Sequence, residues 1–337
     1  MALADVLGQE RALTPLLHAF KSGRAAHGYL FHGPEGVGKA KAAWEFAKLL
    51  LCADPGDDSC GVCPSCRQIR ARSHTDLHVL EPPEKRRYIN VEQVRALIDR
   101  VNLHPMQGDH KAFIIRDADD LRTDAQNMML KTLEEPPADS TLILVTARPH
   151  RLEPTIASRC QKVRFGRLTR EQVRRILADN TDASEAELDF AAGYSGGSAG
   201  EGIRMIEADG MKVRDELLAL MLDLKPGLEF EVADKLQSLY KPGAGVLEAQ
   251  RAGMRFVLEL ATMIYRDAML LAGGAEDAPL YNVDRRDDVK KLAETLGGAR
   301  AHSAVERLMR ARSDIDRNVN IRLNLAEALL DISSIQS

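Results

Sequence analysis

Two groups of residues near the start of the chain carry chemistry in their spacing. Gly33-Pro-Glu-Gly36-Val-Gly38-Lys39 fits the pattern G-x-x-x-x-G-K. Glycines in such a loop let backbone N–H groups turn inward around phosphate oxygens. The helix that follows adds positive potential at its start, and the lysine reaches the outer phosphates. Gly33, Gly36, Gly38 and Lys39 are therefore candidate nucleotide-binding residues, with ATP as the ligand. The residue after the lysine should be Ser or Thr, whose hydroxyl ligates Mg²⁺. Here it is Ala40, and a methyl group cannot coordinate a metal. A second metal contact is expected from an acidic residue at the end of the next core strand. At that place Ile114-Ile115 is followed by Arg116 and then Asp117. Alternation along a strand would send Asp117 to the side opposite Arg116. With both anchors missing, the loop reads as a phosphate site without a competent Mg²⁺ site.

The second group is Cys52-x7-Cys60-x2-Cys63-x2-Cys66. Four thiolates at short spacing match a closed tetrahedral Zn²⁺ site, and free thiols are the alternative reading. Turn formers between them (Asp54, Pro55, Gly56, Asp57, Gly61, Pro64) help the loop fold back on a metal. No open coordination position is implied, so the site is structural. His74 and His78 lie close by and read as surface residues. Ser158-Arg159-Cys160 places an arginine and the fifth cysteine outside either group. Lys85-Arg86-Arg87, Arg95 and Arg100 form one basic stretch; Lys162, Arg164, Arg167, Arg170, Arg174 and Arg175 form another. Such runs are usually solvated faces. Neither interleaves aromatics for base stacking, so phosphate contacts without sequence reading are the most they suggest.

The elements that must position these residues follow from periodicity. Tyr29-Leu30-Phe31, ending at Gly33, reads as a buried strand, and Ala43, Phe46, Ala47 and Leu50 recur at helical spacing behind the glycine loop. Residues 112–115 and 141–146 give two more strands. Thr123-Asp-Ala-Gln126 has the form of a capping box opening a helix that Pro136-Pro137 stops. Strands alternating with helices imply a parallel sheet covered on both faces, an α/β core over residues 1–166 with a metal module at about 52–70. Residues 168–178 and 183–192 read as short helices of a segment 167–210, with a breaker at Gly193–Gly197. Residues 211–337 have helical period nearly throughout, over 213–224, 246–271, 289–296 and 304–335, punctuated at Gly273-Gly274 and Gly297-Gly298. At 337 residues, 45% hydrophobic and 28% charged, the chain has material for two or three ordinary globular domains. Aromatics at 4% leave the cores to aliphatic residues. A net charge of −4 gives no global nucleic-acid signature, so any DNA contact must be local. The longest apolar stretch, Phe256 to Leu271, is broken by Glu259, Arg266 and Asp267 and is too charged for a membrane. The first residues show no secretory pattern, and four clustered cysteines in an intracellular chain read as metal ligands before disulfides.

Taken in order, several strings resemble the bacterial AAA+ clamp-loader family. They are Val6-Leu7-Gly8-Gln9, Arg24-Ala-Ala-His27-Gly-Tyr29-Leu30-Phe31, the Gly33–Lys39 loop, the four-cysteine insert, Leu130-Lys-Thr132-Leu133-Glu134-Glu135-Pro136-Pro137, and Ser158-Arg159-Cys160. The match covers about residues 1–205, and the remainder agrees only as a helical domain. The resemblance implies a AAA+ P-loop core, a helical lid and an all-α C-terminal collar that joins subunits into a pentamer. It implies the replication machinery of DNA polymerase III as the setting, in the bacterial cytoplasm. The implied partners are the gamma/tau ATPase subunits, the delta subunit, the sliding clamp and primed DNA. Arg159 becomes a candidate arginine finger acting on a neighbour's nucleotide. Arg95, near the start of a helix, becomes a candidate DNA-phosphate contact. Ala40, Arg116 and Glu201, the last where a lid arginine is expected, depart from the family's ATPase pattern while Ser158-Arg159-Cys160 is intact. That asymmetry resembles the delta-prime branch, without intrinsic ATPase, and the chain stops near the collar without a tau-type extension. An active gamma/tau-type ATPase and a zinc-containing nucleic-acid-binding protein are the alternatives.

Overall fold

The computed structural model describes residues 2–83, 88–239, 247–275, 277–315, 317 and 319–336. Two compact units emerge: Met1–Asn180 with Ser195–Glu201, and Thr181–Tyr194 with Gly202–Ser337. The basic triplet Lys85-Arg86-Arg87 and the expected helix start at Val246 lie outside the described residues.

The first unit is built on a parallel sheet. Its elements run α1 (Glu10–Lys21), β1 (Gly28–His32), α2 (Lys39–Leu50), α3 (Pro64–Arg70), β2 (Leu77–Leu80), α4 (Val91–Val101), β3 (Lys111–Ile115), α5 (Thr123–Glu134), β4 (Ser140–Thr146), α6 (Pro154–Arg159), β5 (Gln161–Arg164) and α7 (Arg170–Asn180). The five strands lie in the order β2-β3-β4-β1-β5, all parallel, with Tyr29 level with Ile143 and Gln161. Successive side chains point to opposite faces. Tyr29, Phe31, Ala112, Ile114, Ile143 and Val145 accordingly pack with α1 and α2. Leu30, Phe113, Ile115, Leu142 and Leu144 pack with α4, α5 and α6 on the other face. Burial on both faces explains why β1, β3 and β4 are near-continuous apolar runs. The Tyr29 and Phe46 rings meet edge to face at 5.1 Å, tying β1 to α2.

The ends of the helices show how the sequence sets its own limits. Asn90 and Gln93 form a reciprocal capping box at the start of α4, with bonds of 3.0 and 3.2 Å. The capping box expected at Thr123–Gln126 does not form. Arg122 is the N-cap residue, without a side-chain cap. The Gln126 amide instead donates to Leu121 O and Arg151 O and accepts the Glu153 N–H, so it is committed to stitching α5 to the approach of α6. α5 does end at Glu134, ahead of Pro136-Pro137. Lys111 is 2% exposed, and its ammonium donates to the Val101 carbonyl at 2.7 Å and to that of Leu103, satisfying acceptors at and beyond the end of α4.

In the second unit every regular element among the described residues is helical. They are α8 (Glu185–Tyr194), the rest of α9 (Ala199–Glu207), α10 (Gly210–Leu222), α11 (Glu229–Leu239), α12 (Leu247–Ala272), α13 (Arg286–Ile315) and α14 (Ile321–Gln336). α13 is broken at Gly297, whose φ of 71° leaves the helical region, at the position where the sequence predicts a break. The single helix expected over 304–335 is two, because residues 319 and 320 leave the helix between α13 and α14. A buried polar knot ties this unit together. Arg214, 0% exposed, donates to Asn282 at 3.3 Å, to Asp284 at 3.0 and 2.6 Å, and to Asp215 at 2.7 Å. Asn282 also accepts from the Tyr194 hydroxyl and donates to Asp267 at 2.8 Å. No helix among the described residues is long and apolar enough to cross a membrane.

Candidate nucleotide and metal sites

The glycine loop leaves the end of β1, and each of its glycines has a steric reason. Gly33 has φ 144°, and a Cβ there would lie 2.3 Å from the Phe165 carbonyl oxygen. Gly36 has φ 70°, and a Cβ would meet the Ser198 hydroxyl at 2.1 Å and the Gly200 backbone at 3.1 Å. Gly38, with φ 98°, is the N-cap of α2. The loop is thus packed between the exit of β5 and the start of α9, where the Gly200 amide donates to the Gly36 carbonyl at 3.0 Å. Gln9, from the first matching string, holds the same assembly. Its amide donates to Val37 O and Gly166 O and accepts the Gly166 N–H.

Lys39 folds back on the loop. It is 7% exposed, and its ammonium donates to Gly33 O at 2.9 Å and Pro34 O at 2.5 Å. Burial lowers its pKa, and the negative charges of Glu35, Asp117 and Asp119 oppose that shift. The lysine therefore spends its hydrogen bonds on the loop's own carbonyls. Arg116 turns away and pairs with Glu81 at 2.8 Å. Asp117 corrects the alternation argument. β3 ends at Ile115, and Asp117 adopts a left-handed backbone with φ 48°, so strand alternation no longer governs it. It is one of the carboxylates that Lys39 feels, while burial raises its own pKa. Asp119, missed in the sequence, accepts from Thr146 at the end of β4 and from Arg148. These bonds outweigh burial and hold its carboxyl below the usual range.

The four cysteines of the insert converge. All four Sγ atoms lie within 4.8 Å of one another, with Cys52–Cys63 at 3.9 Å, Cys60–Cys66 at 4.0 Å and Cys52–Cys66 at 3.7 Å. Four sulfurs each about 2.3 Å from a central zinc stand about 3.8 Å apart in a tetrahedron. Backbone amides support the sulfurs: Cys60 N–H points at Cys52 Sγ, Cys63 N–H at Cys60 Sγ and Cys66 N–H at Cys63 Sγ, at 3.3–3.4 Å. The cluster can therefore bind a metal such as zinc. Cys160 stands apart, 8% exposed in the core, where burial pushes its thiol up to about 11. His74 is not a surface residue: it is 7% exposed, with Nδ1 accepting the Asp76 amide at 3.1 Å. His78 is half-buried and stacks on Phe113 at 5.0 Å.

Arg159 ends α6 and is bound by Glu134 at 2.5 Å and the Thr155 carbonyl at 2.9 Å. Its own carbonyl lies 3.5 Å from a Cβ built on Gly28, the first residue of β1. Gly33 is five residues further along that strand, about 17 Å at 3.3 Å per residue. Arg159 and the glycine loop therefore occupy opposite ends of the sheet. Arg95 is exposed on α4, opposite the side that buries Val94, Leu97 and Val101, and no acidic partner reaches it among the described residues.

A family model for the DNA polymerase III delta subunit matches residues 8–169, and one for the C-terminal part of the delta subunit matches residues 246–334. The delta' subunit of Bacillus subtilis DNA polymerase III is 28% identical over 316 residues, 93% of either chain. That of Pseudomonas aeruginosa is 40% identical over 161 residues, 47% of this chain and 48% of the relative. The tau subunit of Escherichia coli is 30% identical over 351 residues, 97% of this chain, which spans about half (53%) of tau. With one of these models on the sheet-bearing unit, the other on the helical unit, and delta-prime relatives along most of its length, the chain belongs to the clamp-loader subunit family of bacterial DNA polymerase III.

Proposed function

We propose that this chain is a delta-prime-type subunit of the sliding-clamp loader that does not hydrolyse ATP and lends Arg159 to the nucleotide site of an adjacent gamma/tau-type subunit. The observation that carries the reading is that the Arg159 backbone packs beside Gly28 at the start of β1, about 17 Å of strand away from Gly33. A guanidinium anchored at that end of the sheet, once released from Glu134, is placed not for its own loop but for nucleotide held by another chain. There it would stabilise charge on the transferring phosphoryl group. At the chain's own loop, Lys39 is spent on Gly33 and Pro34, Ala40 offers no metal ligand, and Arg116 pairs elsewhere. The cysteine cluster would hold structural Zn²⁺, and its chemistry there is to order the insert. The helical unit, residues 211–337, would be the collar, and the lid would span 167–210. The delta subunit, the clamp and primed DNA would complete the assembly in the cytoplasm, with Arg95 free to meet a DNA phosphate.

The test is reconstitution with the ATPase subunit, delta, clamp and primed DNA. Arg159→Ala is expected to depress DNA-stimulated ATP hydrolysis while the assembly still forms, as judged by gel filtration. An unchanged rate in an intact complex would remove the finger. Magnesium-dependent turnover by the isolated chain, abolished by Lys39→Ala, would make it an active ATPase instead.

A further inference from the structure

A cleft of about 690 Å³ opens between α2 and the stretch from α3 to β2. Its walls carry Lys41, Trp44 and Lys48 of α2, Arg70 and Arg72 beyond the cysteine cluster, and His74. Ala40 and Arg116 border it, so it lies beside the glycine loop, but none of Gly33, Gly36, Gly38 or Lys39 lines it. Its two carboxylates are already engaged, Glu45 by Lys48 and Glu81 by Arg116. Among the described residues no carboxylate reaches Lys41, Arg70 or Arg72, although Arg70 donates to the Gly61 carbonyl and Arg72 lies 5.5 Å over the Trp44 ring. The cleft therefore carries a surplus of positive charge that no carboxylate among the described residues meets.

The second observation is at its floor. His74 is 7% exposed, its Nδ1 accepts the Asp76 amide, and its buried Nε2 has no partner. Because Nδ1 accepts the Asp76 amide, the neutral ring carries its proton on Nε2, and burial favours that neutral form against the pull of Asp76. A buried N–H without an acceptor is destabilising, and an acceptor admitted to it from the cleft would satisfy it. Arg72 is also held at φ 56°, a backbone region a long side chain rarely adopts.

We infer that this cleft is a second phosphate-binding site, distinct from the glycine loop, in which Lys41, Arg70, Arg72 and the His74 Nε2–H receive the phosphate of a nucleotide. Arginine forks suit phosphate oxygens, and the cleft has room for a nucleoside beside the phosphate. The phosphate can belong to a free nucleotide or to a nucleic-acid strand.

Trp44 is the chain's only tryptophan, so its fluorescence reports the cleft directly. The experiment titrates the full chain, in a Lys39→Ala background, with pyrophosphate, a mononucleotide and an oligodeoxythymidine at constant ionic strength. The expected result is a saturable Trp44 response whose Kd rises roughly tenfold or more in Arg70→Ala/Arg72→Ala, from the loss of charge-assisted hydrogen bonds. Both arginines are exposed, so the variant should fold, which far-UV circular dichroism checks. Tightest binding by the oligonucleotide would assign the phosphate to a strand, and tightest binding by the mononucleotide to a free ligand. No saturable response, an equal Kd in the double variant, or a response seen with Lys39 present and lost in Lys39→Ala would overturn the site.

Discussion

On the proposed reading that the cysteine module holds zinc, removing the metal should unfold the module while sparing the sheet. Residues 52–70 have almost no core of their own: Val62 is 71% exposed, and of the aliphatic residues only Ile69 is fully buried, packed into the cluster around Tyr29 and Phe46. Structural zinc contributes about 10–16 kcal/mol of apparent binding energy in small modules. Nothing else in this segment approaches that figure. Once the metal is gone, α3 loses its anchor and Ile69 its seat, a loss of about 1.5–3 kcal/mol of apolar burial from the first unit. For a unit of this size each kcal/mol shifts Tm by about 2–4 °C, so the transition should fall by about 3–12 °C. Scanning calorimetry with and without a zinc chelator, in reductant, measures the shift. Hydrogen exchange then locates it: the Cys60, Cys63 and Cys66 amides, which point at sulfur, should lose protection while those of β3 and β4 keep theirs. Unmoved Tm and intact protection at those three amides would refute the reasoning, because the module would then be folding without a metal.

Other expectations follow from the same geometry. Gly36→Ala should destabilise the first unit by at least about 1–2 kcal/mol, the cost of a left-handed non-glycine residue, read by urea denaturation. Ser198→Gly added to it should relieve the clash at 2.1 Å and leave the backbone cost. Arg214→Ala should cost the second unit about 3–5 kcal/mol, because Asn282 and the flanking carboxylates lose a buried cation. Arg214→Met, which keeps most of the volume, should cost less, and equal losses in the two variants would contradict the charge argument. His32, His78 and His110 have pKa values lowered chiefly by burial. Their native state therefore binds protons more weakly than the unfolded chain, and stability should drop as pH falls through about 6.5 and level off below the folded-state values. Tm measured between about pH 7.5 and 5.5 should show a shallower slope in His110→Gln.

What the sequence reveals is what depends on neighbours in the chain. The glycine loop, the cysteine spacing and the apolar strands around Phe31, Ile114 and Leu144 are local patterns, and the structure has them where the residues put them. β2 and β5 escape such reading. Leu-His-Val-Leu and Gln-Lys-Val-Arg sit at the two edges of the sheet, and only Leu80 and Val163 are buried, so neither segment carries an apolar run. Gln126 misleads for a different reason: its spacing from Thr123 suits a cap, but Leu121, Arg151 and Glu153 compete for the same amide and win. Asp117 shows the limit of strand alternation, which ends with the strand. Lys111 and Asp119 are buried polar groups whose partners come from other elements, and no local signal distinguishes them from solvated residues. His74 is buried by the fold around it, although the amide that its Nδ1 accepts is only two residues away.

The spacing between Arg159 and Gly33 has a consequence for assembly. A component whose donor end and acceptor end lie at opposite edges can be joined only head to tail, and each junction uses one end from either member. On the reading proposed above, this chain would bring a working donor and a disabled acceptor and so act as a terminator. It would complete the last active junction and open no further one, so the number of firing junctions would be set by composition and not by concentration.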